Sequence, residues 1–199
     1  MKRAALGVRM HSGWGVLVAV SGAADSVEIL DRRRVVITDP SIPGANQPYH
    51  YAMNLGLTES ETYLANCAAA SERLALEAVG EVVRELEGQN YKIAGSAVLL
   101  ALGRPLPSLS KILASHALIH TAEGEFFRNA IRNACQRLEI RITAIREREV
   151  EERAKMSFAD AASRVQRRIS SLGSSVGPPW TKDHKMAALA AAIILTGER

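Results

Sequence analysis

Two cysteines in 199 residues, Cys67 and Cys135, are too few for a disulfide framework. Both stand beside apolar residues in helical patterns, which reads as a pair of buried free thiols. Aromatic residues are only 5% of the chain, so rings that could stack on bases are sparse; Trp14, Trp180 and Tyr49 are the candidates. Long apolar runs are missing as well. No stretch approaches the roughly 18 apolar residues of a membrane helix. Lys2 and Arg3 lie ahead of an apolar run at Trp14–Val20, but the run is short and Arg9, His11 and Ser12 interrupt what precedes it. That segment reads as a strand and not as a signal peptide, and the expected location is the cytoplasm. Charge of one sign is not in large excess: 25 basic against 21 acidic residues give a net charge of +4. So mild a balance describes a solvated surface and leaves anionic partners, nucleic acid among them, open.

The length suits one domain, expected over residues 1–199. Residues 3–10, 14–20 and 27–37 read as three strands of an antiparallel meander, the third either continuous or broken by a bulge. The stretch 39–57 holds three prolines and several turn formers, a long loop tipped by Gln47, Tyr49, His50 and Tyr51. Thr58 and Glu61 form a capping-box pattern ahead of a helix with apolar positions at steps of three and four, ending near Gly88. Tyr91–Leu102 reads as a buried strand, and Ser110–Leu138 as helix in two pieces divided around "HTAEGE". Residues 139–147 alternate as a strand, and 148–180 form a charged helical insertion and loop. The chain closes on "KDHKMAALAAAIIL", an Ala-rich helix suited to close packing on a sheet. The order β-β-β-α-β-α-β-α predicts an α/β fold, a mixed five-stranded sheet with helices on both faces.

That element order, with "GVRMHSGWGV" at its start and Asp183 ahead of the Ala-rich helix at its end, resembles the ribonuclease-H-like superfamily. In detail it is similar to the RuvC-type resolvases and their YqgF-type relatives. The resemblance implies a first-strand aspartate, further carboxylates and two divalent metal ions that clamp the attacking and leaving oxygens of a phosphodiester. Arg9 stands where the first-strand aspartate belongs, and Arg104 stands near the usual second site. Of the positions carried over, only Asp183 keeps a carboxylate. A guanidinium cannot ligate a cation, so the resemblance implies a degenerate site without standard two-metal hydrolysis.

On that fold Arg9, His11, Ser12, Arg104, His116, His120, Lys182, Asp183, His184 and Lys185 gather near one edge of the central strands. Several readings stand side by side. Arg9 and Arg104, with the start of the last helix, could bind phosphate or carboxylate. Equally, an Arg9–Asp183 ion pair could fill the place of the metals. His116 and His120 lie one helical turn apart and could share a divalent metal ion, completed by Glu123, Glu125 or His11. The adjacent His11 and Ser12 show no acid partner for nucleophilic catalysis. In "DRRR" Arg32 and Arg34 share a strand face on which a basic stripe could track phosphates. Three functions are expected on these grounds. The first is binding of an anionic ligand or nucleic acid without turnover. The second is a metal-dependent hydrolase or nuclease that uses Asp183, Glu123, Glu125 and the histidines. The third is an assembly module that engages another protein.

Overall fold

A computed structural model of the chain describes residues 1–100 and 105–197. Five strands form one sheet: β1 (Lys2–Met10), β2 (Trp14–Ser21), β3 (Glu28–Val36), β4 (Tyr91–Leu100) and β5 (Ile142–Arg146). Their spatial order is β3-β2-β1-β4-β5. β1 pairs antiparallel with β2, and β2 with β3; β1 and β4, and β4 and β5, run parallel. The sheet is therefore mixed, as the element order predicts. β3 is one strand with a bulge, placed where the register shifts opposite Ala19 and Val20.

The helices are α1 (Pro48–Ala52), α2 (Leu57–Gly88), α3 (Leu109–Leu113), α4 (His116–Arg137), α5 (Val150–Phe158), α6 (Ala162–Ser171), α7 (Gly173–Val176) and α8 (Lys182–Thr196). They divide by sheet face. Leu6, Val8, Met10, Leu17 and Val98 pack against α2 and α4. Ala5, Val16, Val18, Ala97, Leu99 and Ile145 pack against α8, α5 and α6. Strand side chains alternate between faces, so a central strand covered on both sides reads as the near-continuous apolar run seen in β1 and β2. Cys67 on α2 and Cys135 on α4 are both buried and free.

Two local expectations need correction. The capping residues of α2 are Gly56 and Glu59, whose carboxylate accepts the Gly56 N–H at 3.2 Å, and not Thr58 and Glu61. The helix starts earlier because Ser60 is drawn inward, its hydroxyl donating to the Ala52 carbonyl at 2.8 Å. The break in the 110–138 helix falls at Ala114 and Ser115, between α3 and α4, and "HTAEGE" lies inside α4. Its polar residues do not mark a turn, because Glu123 points inward and is 2% exposed. Among the described residues, no helix is long and apolar enough to cross a membrane.

The contact of α8 with β1 fixes how the last helix sits on the sheet. A Cβ on Gly7 would lie 1.9 Å from the Ala187 carbonyl oxygen, so only glycine lets the helix approach this closely. The helix meets the sheet with Ala187, Ala188, Ala190 and Ala191, all fully buried. Leu189, Ile193 and Ile194 add the larger apolar area, each worth about 1.5–3 kcal/mol on full burial.

Candidate functional site

Arg9 lies two residues beyond Gly7 on the same face of β1, about 6–7 Å along the strand. Asp183 lies one turn before Ala187 on α8, about 6 Å along the helix. The two steps run to the same place, and Arg9 Nη1 donates to Asp183 Oδ1 at 2.5 Å. Glu147 reaches the same guanidinium from the other side. It comes just after β5, two residues past Ile145, and so falls on the α8 face. Arg9 Nε and Nη2 donate to its two carboxylate oxygens at 3.1 and 2.9 Å, a bidentate pair. Burial works against the Arg9 charge, but Glu147 and Asp183 outweigh it and hold the Arg9 pKa above its ordinary value.

His11 completes this centre. Its Nε2 lies 2.8 Å from Asp183 Oδ2 and 3.2 Å from Arg9 Nη1. The β1–β2 turn places it there. Gly13 takes φ +77° beneath Thr38, and the His11 N–H donates to the Trp14 carbonyl at 2.7 Å. The His11 ring stacks on Trp14 at 4.3 Å, and the Arg34 guanidinium stands 3.9 Å from the Trp14 ring centroid. Ser12, in the same turn, is exposed. Arg32, on the Arg34 face of β3, donates to the carbonyls of Val176, Pro178 and Pro179 and so anchors the segment that leads into α8.

At the start of α8, Lys182 and Lys185 line a cleft of about 480 Å³ with Glu147, Arg148 and Glu151. His184 faces inward and is 7% exposed. Its Nδ1 accepts from the Thr181 backbone N–H at 3.3 Å and from the Thr181 hydroxyl at 2.8 Å. Burial, followed by nearby Arg32, lowers the His184 pKa, while Asp183 opposes them.

His116, His120 and Glu123 do not join this centre. They lie on α4, in the opposite helical layer, and meet His50 from α1. Ring centroids are 5.2 Å apart for His50–His116, 4.8 Å for His50–His120 and 4.5 Å for His116–His120. Glu123 accepts from His50 Nδ1 at 2.8 Å and from the His50 backbone N–H at 3.1 Å. The three histidines form a group that could hold a metal ion. Glu125 is elsewhere occupied, paired with Arg132 and lying 3.6 Å from Arg128 Nε. Arg104 lies outside the described residues. Among the described residues, no hydrogen bond or ion pair joins the two centres.

Glu147 and His50 are the two participants that the sequence does not single out as site residues. Glu147 sits in a mixed-sign run, and His50 is separated from its partners by a 66-residue gap.

Superposition on solved structures decides the fold. RuvC of Thermus thermophilus in complex with a Holliday junction substrate aligns over 98% of this chain and 93% of its own, with TM-score 0.52 and 12% identity. The fold is ribonuclease-H-like. A second structure, Thermus thermophilus RuvC, aligns over 97% of this chain and 93% of its own, with TM-score 0.49 and 10% identity. No protein-family model and no curated protein sequence matches the chain. Within the ribonuclease-H-like sheet, the Arg9 centre takes its residues from the ends of β1 and β5 and the start of α8. The histidine centre takes its residues from α4 and from the segment after β3.

Proposed function

We propose that this chain is a nucleic-acid-binding protein of ribonuclease-H-like fold that does not hydrolyse phosphodiesters by the two-metal route. The observation that carries the reading is the Arg9 guanidinium held between Asp183 and Glu147. Two-metal chemistry needs carboxylate oxygens open to cations. Here three oxygens of the two acids accept from Arg9 and the fourth faces His11, so the residues present do not fit a pair of Mg²⁺ ions. Arg9 then acts as a strut between β1, β5 and α8, with Nε, Nη1 and Nη2 each donating to a carboxylate oxygen. Phosphate contacts fall to the groups around it. Lys182 and Lys185 at the start of α8 supply charge, and Arg34 with the His11–Trp14 stack supplies a cationic, ring-faced edge. Of the structures that align, RuvC of Thermus thermophilus binds a Holliday junction, so branched DNA is the first ligand to offer.

The test is fluorescence anisotropy on labelled four-way junction, duplex and single-stranded DNA and RNA, followed by gels of the same samples with Mg²⁺, Mn²⁺, Zn²⁺ or chelator. Binding that weakens steeply with salt, without cleavage products, is expected. Metal-dependent cutting that disappears in Asp183→Ala would overturn the reading and establish a hydrolase. Binding to no nucleic acid at low salt would remove the ligand.

A further inference from the structure

We propose that His50, His116 and His120 form a binding site for one first-row transition-metal dication of the Zn²⁺ class. The site joins the segment after β3 to helix α4. It is separate from the Arg9 centre and independent of the nucleic-acid reading.

The geometry is that of a nitrogen-donor site. His116 and His120 stand on one face of α4, a turn apart, with their rings edge to face at 4.5 Å between centroids. His50 approaches from α1, and its Nε2 lies 3.4 Å from His116 Nε2. Two nitrogens bound to a tetrahedral zinc at about 2.0–2.1 Å stand about 3.3 Å apart, so these two already have the spacing of ligands on one ion. One candidate donor atom from each of the three residues lies within 4.8 Å of the others.

Behind the donors is a built support. Glu123 is nearly fully buried on α4 and receives both the His50 backbone N–H and the His50 ring Nδ1. With Glu123 at Nδ1, the His50 nitrogen left for a metal is Nε2, the one that faces His116. A carboxylate fixing the far nitrogen of a histidine is the arrangement that orients imidazole ligands and raises their basicity. α1 is itself held in place. Pro48 starts it and is buried, Ser60 of α2 bonds the Ala52 carbonyl, and the Tyr51 ring lies 4.7 Å from that of Tyr63. His50 is thus delivered by packing.

Imidazole donors select Zn²⁺, Cu²⁺, Ni²⁺ or Co²⁺ over Mg²⁺ and Ca²⁺, which take oxygen ligands. His116 and His120 are exposed, so the remaining coordination position faces water. Only two other histidines exist, His11 and His184, and both belong to the Arg9 side of the sheet.

The experiment uses the full chain, freed of metal and of any histidine tag. Zn²⁺ is titrated calorimetrically, and Co²⁺ is added as a visible-light probe of nitrogen coordination. One equivalent of Zn²⁺ bound more tightly than about 1 μM is expected, with Co²⁺ giving ligand-field bands that Zn²⁺ removes. The exposed pair His116→Gln/His120→Gln, checked for an unchanged circular dichroism spectrum, is expected to lose the site. Glu123→Gln is expected to retain one equivalent at about 10–100-fold weaker affinity. No binding by the parent chain at these concentrations, or equal Zn²⁺ affinity in the folded double variant, would overturn the site. Parent-level affinity in Glu123→Gln would overturn the orienting role.

Discussion

The two polar centres lie in opposite helical layers of one sheet, and they are built on opposite principles. Around Arg9 the polar groups are occupied by one another: one guanidinium meets two carboxylates, and a histidine faces the last oxygen. Around His50 the donors are alike and converge, with a single acid placed behind them and not among them. The first arrangement is complete without any outside group and fits a joint in the structure. The second gathers candidate donor nitrogens within 4.8 Å of one another and fits a receptor. The difference shows that a polar cluster is read by where its donors and acceptors point, not by how many ionisable residues it contains.

The comparison can be broken most forcefully at Gly7. Gly7→Ala would push α8 away from β1 and separate Asp183 from Arg9. Overpacking against backbone should cost about 3 kcal/mol in urea unfolding, while Zn²⁺ stoichiometry at the histidine centre stays at one. The second largest effect belongs to the other centre. At a free Zn²⁺ concentration 100-fold above the dissociation constant, the parent chain should gain about 2.7 kcal/mol. His50→Ala should abolish that gain, read as loss of the Zn²⁺-induced rise in Tm. Next comes Arg9→Met, which leaves Asp183 and Glu147 without their shared cation. Removing one partner of a fully buried pair costs about 3–5 kcal/mol. These side chains keep 19–31% of their exposure, so about 2 kcal/mol is expected here. Mg²⁺, which the histidine centre does not take, should raise the Tm of this variant and leave the parent unchanged, since only the variant frees the carboxylates.

The smallest effect is a pH dependence on the Arg9 side of the sheet. The folded-state pKa of His184 is lowered, chiefly by burial, so below the ordinary histidine value the unfolded chain binds a proton that the folded chain refuses. The contribution to stability is full above about pH 6.5 and declines as pH falls through the unfolded value toward the folded one. The Nδ1 that accepts from Thr181 is the atom a proton would block. Urea midpoints between pH 7.5 and 5.5 should fall in the parent chain and fall less in His184→Gln.

Much of the sheet is legible in the sequence, because buried strands write themselves as apolar runs and α8 as an alanine-rich one. Arg9 and Asp183 are legible through the resemblance, which marks the first-strand position and the residue ahead of the Ala-rich helix. Glu147 is not. Its run of alternating charges looks like a solvated helix start, and only the parallel pairing of β5 with β4 carries it toward Arg9. His50 is hidden for a different reason. Short-range spacing reports helix neighbours such as His116 and His120, but no periodicity links them to a residue 66 positions earlier. Glu123 misleads in its own way: a charged residue beside a glycine suggests a turn, yet its carboxylate is spent on α1 and the helix runs on through it.

The buried sulfurs have a practical consequence. Burial raises the pKa of both thiols, that of Cys135 to about 11, so neither supplies much thiolate at neutral pH. Alkylating probes should pass them by. A cysteine introduced at exposed Met53, beside α1, or at exposed Met156, on α5, would then be the only residue to take a spin label or a dye. Spectroscopic rulers could track the segment after β3 as metal or nucleic acid is added, with the native cysteines left in place.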